Sequence, residues 1–396
     1  MTGNQREMER KNRKSRKDRK NKIIAWVVIA VIILVLAIMK ICEININSVK
    51  DHFTDSNGNF TLTQGVVDNN FPYNLDSSQG VVMKNVNGKL CALTPTGFSV
   101  INSKNAEEEY AFSHGYLNPL LKNSGIYTLL YDQGAKQMRL DDTSGNVYQH
   151  SIDSNILCAD VSKNGNVAYS ATSDEKKCIV SVINKSVKQK FECAVSYGYV
   201  VDVSINDAGN KLAFVAVNSE NARLKSKLFV YTVGVDEPKA EIDLPEGNII
   251  DIEYSSDSIY VVGESYIGVV NNGKKYKSVF DSKTVNTVSF TYTPSNYLVL
   301  VYNEFNNSTE NTIVKIKPNG RFGKSASISG NIKSVSASSS VVSVLTTNEI
   351  VSFSLGNMKE KSRVETDDSV KSICRMGSDV FIHRQSLIDE INTADK

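Results

Sequence analysis

The sequence predicts an all-β protein, a β-propeller of eight blades preceded by a single N-terminal transmembrane helix. Three observations predict it: an apolar run from Ile23 to Met39, short strand-like runs broken by Asn-Gly turns, and a degenerate repeat of strand openings averaging near 42 residues apart. A period of about 40–45 residues with four short strands per unit is the pattern of a propeller blade.

The helix comes first in the chain. Ile23 to Met39 holds no charge, proline or glycine. With Lys40, Ile41 and Cys42 it reaches about 20 residues, or roughly 30 Å of helix, the thickness of a bilayer core. Lys40 can extend its ammonium to the headgroups, and Trp26, the only tryptophan, sits near the basic end where an indole suits the interface. The exit Met39-Lys40-Ile41-Cys42-Glu43 offers no small-x-small cleavage site, so residues 23–42 read as an uncleaved signal anchor. Residues 1–22 carry a net charge of +7 and the chain beyond the anchor −6, which the overall +2 conceals. Positive residues beside a span stay in the cytoplasm, which puts the tail inside and residues 43–396 outside. The basic tail has no folded reading module, and no nucleic-acid role is assigned to it.

Residues 43–58 form a polar juxtamembrane stalk, and residues 59–396 are read as one extracytoplasmic domain. Its strand runs are short, as in Val201 to Ile205 and Leu212 to Val217. Asn-Gly falls at 57–58, 87–88, 164–165, 272–273 and 319–320. Asn-Gly between such runs is the strongest short hairpin signal, because both residues tolerate positive φ. Strand openings recur at Asp160-Val161-Ser162, Asp202-Val203-Ser204, Asp251-Ile252-Glu253, Thr287-Val288-Ser289, Ser334-Val335-Ser336 and Ser372-Ile373-Cys374, with offsets of 42, 49, 36, 47 and 38. Less regular openings near Val82 and Leu120 bring the total to eight. Only 25 residues run from Ser372 to Lys396, too few for four strands. The stretch from Asn59 to Leu75 is expected to supply the missing one and close the ring. Closure removes two exposed sheet edges. Seven blades stay compatible with the irregular openings, and a pair of β-sandwiches shares the strand spacing.

Residues 114–134 read His-Gly-Tyr-Leu-Asn-Pro-Leu-Leu-Lys-Asn-Ser-Gly-Ile-Tyr-Thr-Leu-Leu-Tyr-Asp-Gln-Gly, and Phe71-Pro72-Tyr73 precedes the first repeat. This resembles an uncharacterised family of membrane-anchored, propeller-like proteins of Gram-positive, mostly clostridial bacteria, across the whole chain. The resemblance implies a bacterial envelope setting and no particular activity. Physically, Pro119 suits a strand start, Gly125 a turn, and Tyr131-Asp132-x-Gly134 a strand end with a tight turn.

Chemistry is sparse. His52, His114, His150 and His383 form no metal-binding spacing, and there is no Cys-x-x-Cys. Gly263-Glu264-Ser265-Tyr266-Ile267 lacks the closing glycine of a nucleophile elbow and lies in a strand-turn-strand pattern. Asp55-Ser56-Asn57-Gly58 lacks the acids a calcium loop needs. Asp141-Asp142 and Glu107-Glu108-Glu109 read as solvated loop charges, and acids on repeat loops share no focus. Cys91, Cys158 and Cys374 read as core thiols and Cys42 lies at the membrane edge. Cys178 and Cys193, equidistant from a turn near Lys185-Ser186, face each other across a hairpin as packed thiols or as a disulfide. No catalytic, cofactor-binding or metal-binding residue is assigned, and no cofactor.

The function class that fits is a non-enzymatic binding or scaffold module, anchored in the bilayer through residues 23–42 at the cell membrane. It would offer a propeller face to envelope proteins, peptides or wall polymers. The rival reading is a propeller enzyme, a hydrolase or a quinone-type redox protein. Residues 43–396 contain no tryptophan, which argues against the quinone type.

Overall fold

A computed structural model describes residues 71–396 apart from 281–285, 305–308 and 392–396. The tail, the span at 23–42, the stalk, His52 and the Asp55–Gly58 stretch lie outside the described residues. Among those described, all regular structure is β, and no helix is long and apolar enough to cross a membrane.

Eight four-stranded antiparallel sheets follow one another, seven of them with their strands in chain order from innermost to outermost. Blades 1 to 7 span 82–113, 119–151, 156–195, 199–243, 249–280, 286–329 and 334–365. Blade 8 takes three strands from 370–391, and its fourth, Tyr73–Asn74, comes from the other end of the domain. Tyr73 pairs with Ile388 and Asn74 with Leu387. The expected eight blades and the expected closing strand are both present; the seven-blade and sandwich alternatives are excluded by this ring of sheets. The closure is reinforced sideways: the Tyr73 hydroxyl donates to the Glu108 carboxylate and lies 3.2 Å from Ser99 Oγ, which can donate to it, both in blade 1.

There is no single central core. Eight apolar clusters fill the eight seams between neighbouring blades. This explains the second strand of blade 4, Lys211–Glu220. Leu212, Phe214 and Ala216 fill the seam with blade 3, while Ala213 and Val215 fill the seam with blade 5. A strand alternates its side chains between two faces, and here both faces are buried, so the run Leu212 to Val217 is apolar throughout rather than alternating. Fully burying one such side chain contributes about 1.5–3 kcal/mol.

The repeat register needs correction in two blades. The innermost strands of blades 3, 4, 5, 6 and 8 each contain a bulge near their start, at residues 157, 201, 250, 288 and 371. Aligned on these bulges, Cys158, not Asp160, matches Asp202, and Ser289, not Thr287, matches Asp251. A shift of two residues keeps every side chain on its own face, so the pattern of apolar and polar types cannot tell the two registers apart.

The cysteine hairpin is also shifted. Cys178 lies opposite Val195 and Cys193 opposite Val180, because a bulge after Val182 displaces the register. The two thiols are diagonal neighbours, and both are free. Asp141, expected in a solvated loop, is instead buried in the strand Gln137–Asp142. Arg139 holds it through Nε and Nη2 at 2.8–3.0 Å and lies 3.5 Å over the Phe112 ring of blade 1. Glu108 and Glu109 likewise belong to a strand, Glu108–Ser113, at the rim of blade 1, and are exposed.

Candidate functional site

The family-like stretch at 114–134 is structural. Pro119 opens the innermost strand of blade 2, Pro119–Ser124, and Gly125 turns it at φ 59. The Asp132 carboxylate accepts the Asn118 and Leu117 N–H groups at 2.8 and 3.1 Å, shaping the loop that enters the blade. Gln133 donates to the Leu157 carbonyl of blade 3 at 2.8 Å. The three described histidines stay apart. His114, in the loop between blades 1 and 2, donates to the Thr94 carbonyl; His150 is in the outermost strand of blade 2; His383, in blade 8, bonds the Gln385 carbonyl. Gly263 and Ser265 flank a turn between two strands, as expected.

The charged groups that do converge lie on the ring axis. Every blade contributes its innermost strand to the axis, and the register sorts axial residues into two layers. The upper layer, nearer the end where these strands begin, includes Asp202, Asp251, Ser289, Ser334 and Ser372. Two residues further on, a lower layer includes Lys84, Lys122, Asp160, Ser204, Glu253 and Ser336.

Several of these side chains staple one blade to the next. Asp202 Oδ2 accepts the Ile252 N–H at 2.7 Å and Ser334 Oγ the Ile373 N–H at 3.2 Å in the upper layer. Asp160 Oδ2 accepts the Ile205 N–H at 2.9 Å, Ser204 Oγ the Tyr254 N–H at 3.0 Å and Ser336 Oγ the Arg375 N–H at 2.8 Å in the lower. The shared geometry confirms the corrected register.

Asp251 does something different. Its Oδ1 lies 3.5 Å from Lys122 Nζ. The two residues come from blades 5 and 2, so the ion pair crosses the ring interior. Asp251 Oδ2 also accepts the Tyr292 hydroxyl at 2.7 Å. The carboxylate of Glu253, two residues on, has no hydrogen bond or ion pair with any described residue.

Protein surrounds these groups, yet solvent reaches some of them: Lys84 is exposed, and Lys122 and Glu253 are half-buried. Enclosure sets their acidities. Burial pushes Asp202 up to about 7, against the pull of Lys122 and with a push from Asp251. Burial also raises Asp160, opposed by Lys122 and the Ile205 N–H. Glu253 is held well above the usual carboxyl range by burial and then by Asp160 and Asp251. Burial alone would lower Lys122, but Asp251, Asp202 and Asp160 together raise it well above an ordinary lysine. Lys84 is lowered by burial and by Lys122. The arrangement is therefore an acidic interior, with one lysine firmly charged, that can hold a cation or store protons.

The acids expected to share no focus were those on repeat loops; the acids that converge lie instead on innermost strands. The signal was present in the sequence, because the openings Asp160, Asp202 and Asp251 lie on first strands, and first strands line the axis of a propeller. Lys84 and Lys122 escaped notice because the openings of blades 1 and 2 are irregular. Among the described residues, no group of three or more His, Cys, Asp and Glu is placed to hold a metal ion.

A ring of eight four-stranded blades with strand exchange between the ends is a WD40-type β-propeller. The chain is similar to the C-terminal WD40 domain of Sif2 (TM-score 0.58, 11% identity, 81% of this chain and 98% of that one). It is similar also to Saccharomyces cerevisiae Sqt1 (TM-score 0.56, 11% identity, 81% and 98%). At such identity the likeness shows the fold alone. The chain belongs to a family of unknown function, DUF5711, whose model matches residues 67–393. No curated protein matches it.

Proposed function

We propose that this protein is a membrane-tethered, extracytoplasmic binding module that presents the upper face of its propeller to cell-envelope partners. The observation that carries the reading is the distribution of exposed apolar side chains. Of the nine large apolar residues exposed among those described, Val82, Leu117, Tyr199, Val201, Leu224 and Ile250 lie at the end where the innermost strands begin; Ile126, Val235 and Phe322 lie at the other. Exposed apolar groups gathered on one face favour an interaction surface there. Blade 4 adds a long hairpin, paired through Glu220 and Arg223, which carries Leu224 on that face. The apolar run at 23–42 and its basic flank support the tether and its orientation.

The test is photo-crosslinking in intact cells, with a crosslinking residue at Leu117 or Tyr199 on the upper face or at Phe322 on the lower. Specific adducts from the upper positions alone are expected. Equal capture from both faces, or none from the upper one, overturns the reading.

A second reading has one observation behind it. Asp202, held up to about 7, and Glu253, held well above the usual carboxyl range by burial, stand together on the axis, and groups so perturbed can exchange protons with a substrate. That favours a hydrolase of envelope polymers. Turnover of peptidoglycan fragments by the full chain, abolished in Glu253→Gln, would establish it.

A further inference from the structure

We propose that the acidic axis accepts a single lysine or arginine side chain, presented by a polypeptide segment whose flanking apolar residues rest on the rim above. The inference rests on the upper-face reading and names the chemistry of its partner.

Two bulges build the rim. In blades 3, 4, 5 and 6, the residue that each bulge leaves out of the ladder is apolar: Leu157, Val201, Ile250 and Val288. A bulge re-aims its side chain away from regular pairing. Val201 is 45% exposed and Ile250 42%, although both adjoin fully ordered ladders. Blades 4 and 5 thus place an exposed apolar residue at the same height near the axis, while Leu157 and Val288 pack into the neighbouring seams.

The acids lie directly below. Asp202 follows Val201, Asp251 follows Ile250, and Asp160 and Glu253 come three residues after Leu157 and Ile250. At about 3.3 Å per residue, the rim and the deepest acids are up to roughly 10 Å apart along the strands. An extended basic side chain covers much of that depth.

Charge selects the ligand. The axis sets four carboxyls, Asp160, Asp202, Asp251 and Glu253, against two lysines, and a bound cation would draw off the protons that burial holds on Asp202 and Glu253, so a cation rather than an anion is favoured there. Asp160 and Asp202 are occupied by backbone N–H groups and Asp251 by Lys122 and Tyr292. Glu253 is left as the acceptor without a side-chain partner among the described residues. In the upper layer, the shielded Ser372 hydroxyl also lacks one. Enclosed polar groups without partners are costly, and a bound cation with several N–H donors relieves that cost. The scarcity of metal-ligand groupings among the described residues points to an organic cation. The apolar rim points to a side chain embedded in a peptide rather than to a free amine.

The test uses the full chain in lipid nanodiscs and a fluorescein-labelled peptide, Gly-Ser-Val-Arg-Val-Ser-Gly, followed by fluorescence anisotropy. A second peptide replaces the arginine by citrulline, which keeps the shape and removes the charge. The arginine peptide should bind at least tenfold more tightly than the citrulline one. Glu253→Gln, with its fold verified by near-ultraviolet circular dichroism, should erase most of that difference. Absence of saturable arginine-peptide binding, or equal binding of the two peptides, overturns the proposal. The broader reading fails separately. If the double variant Val201→Ser and Ile250→Ser abolishes crosslinking from Tyr199 while Glu253→Gln leaves both crosslinking and peptide binding intact, the face binds partners and the cation site does not exist.

Discussion

Asp202→Asn is the sharpest probe of the axis, because its effect on stability should change sign with pH. A carboxyl at about 7 in the folded protein titrates near 3.9 in the unfolded chain. The folded state therefore binds this proton more tightly. Below about pH 4 both states are protonated and the charge costs nothing. As pH rises the unfolded state ionises first, and stability falls until the folded group also ionises near 7. Three pH units correspond to about 4 kcal/mol at 1.36 kcal/mol each, an upper figure because Asp160, Asp251 and Lys122 share the titration. Asparagine never ionises, so it escapes this loss. It keeps one acceptor oxygen, however, whereas Asp202 uses Oδ1 for the Val203 N–H and Oδ2 for the Ile252 N–H. Losing one buried bond costs about 1 kcal/mol.

The variant should accordingly be about 1 kcal/mol less stable than the parent at pH 4 and about 2–3 kcal/mol more stable at pH 8. The readout is the thermal midpoint by near-ultraviolet circular dichroism across that range, where each kcal/mol moves the midpoint by roughly 2 °C or less at this length. The two curves should cross between pH 4 and 7. Parallel curves would show that Asp202 is not a buried charge in conflict with its surroundings, and the electrostatic account of the axis would fall with it.

Other consequences are simpler. Phe214→Ala removes a buried ring stacked 5.1 Å from Phe229 and 5.7 Å from Tyr231, and should cost about 3–5 kcal/mol, visible as a lowered melting midpoint. Gly198→Ala would drive a Cβ into the Val217 carbonyl, so the start of blade 4 must shift; faster amide exchange at Tyr199 and Val217 should report it. Tyr73→Phe deletes the bonds to Ser99 and Glu108 at the ring closure, and should cost about 1–2 kcal/mol and speed amide exchange in the last strand of blade 8. Burial raises the Cys91 and Cys374 thiols to about 12, so iodoacetamide at pH 8 should label them only after unfolding, as counted by intact mass.

What could be read in the sequence depended on how local the determinant is. Turns such as Asn87-Gly88 and Asn272-Gly273 are set by the φ preferences of two residues, and they lie where expected between paired strands. Blade number followed from period, and the closing strand from the shortness of the last unit. Register was less accessible. A shift of two positions keeps each side chain on its own face, which hid the displaced alignment of Asp160 and of Thr287, and a bulge after Val182 helped set Cys178 and Cys193 off the facing geometry. Burial of Asp141 was hidden as well, because its partner Arg139 is held from outside the blade by Phe112. The axial cluster needed the ring itself: Lys122 and Asp251 are 129 positions apart in the chain and meet only because blades 2 and 5 share an interior.

The same ring shows which axial charges its architecture requires. Ser204, Ser334 and Ser336 form the blade-to-blade bond with a neutral hydroxyl, at 2.8–3.2 Å, in positions equivalent to Asp160 and Asp202. Stapling therefore needs an acceptor and not a charge. An aspartate in that place makes the bond at the cost of burying a carboxylate beside other acids, which a serine avoids. Glu253 makes no staple at all, although Ser204 one blade earlier does. The acids on the axis exceed what holding the propeller together demands, and they are concentrated on blades 3 to 5, beneath three of the four apolar bulges. Structural duty accounts for an acceptor at these positions but not for its charge, which is why the acidic arc, rather than the whole axis, is the part of this molecule that its fold alone does not explain.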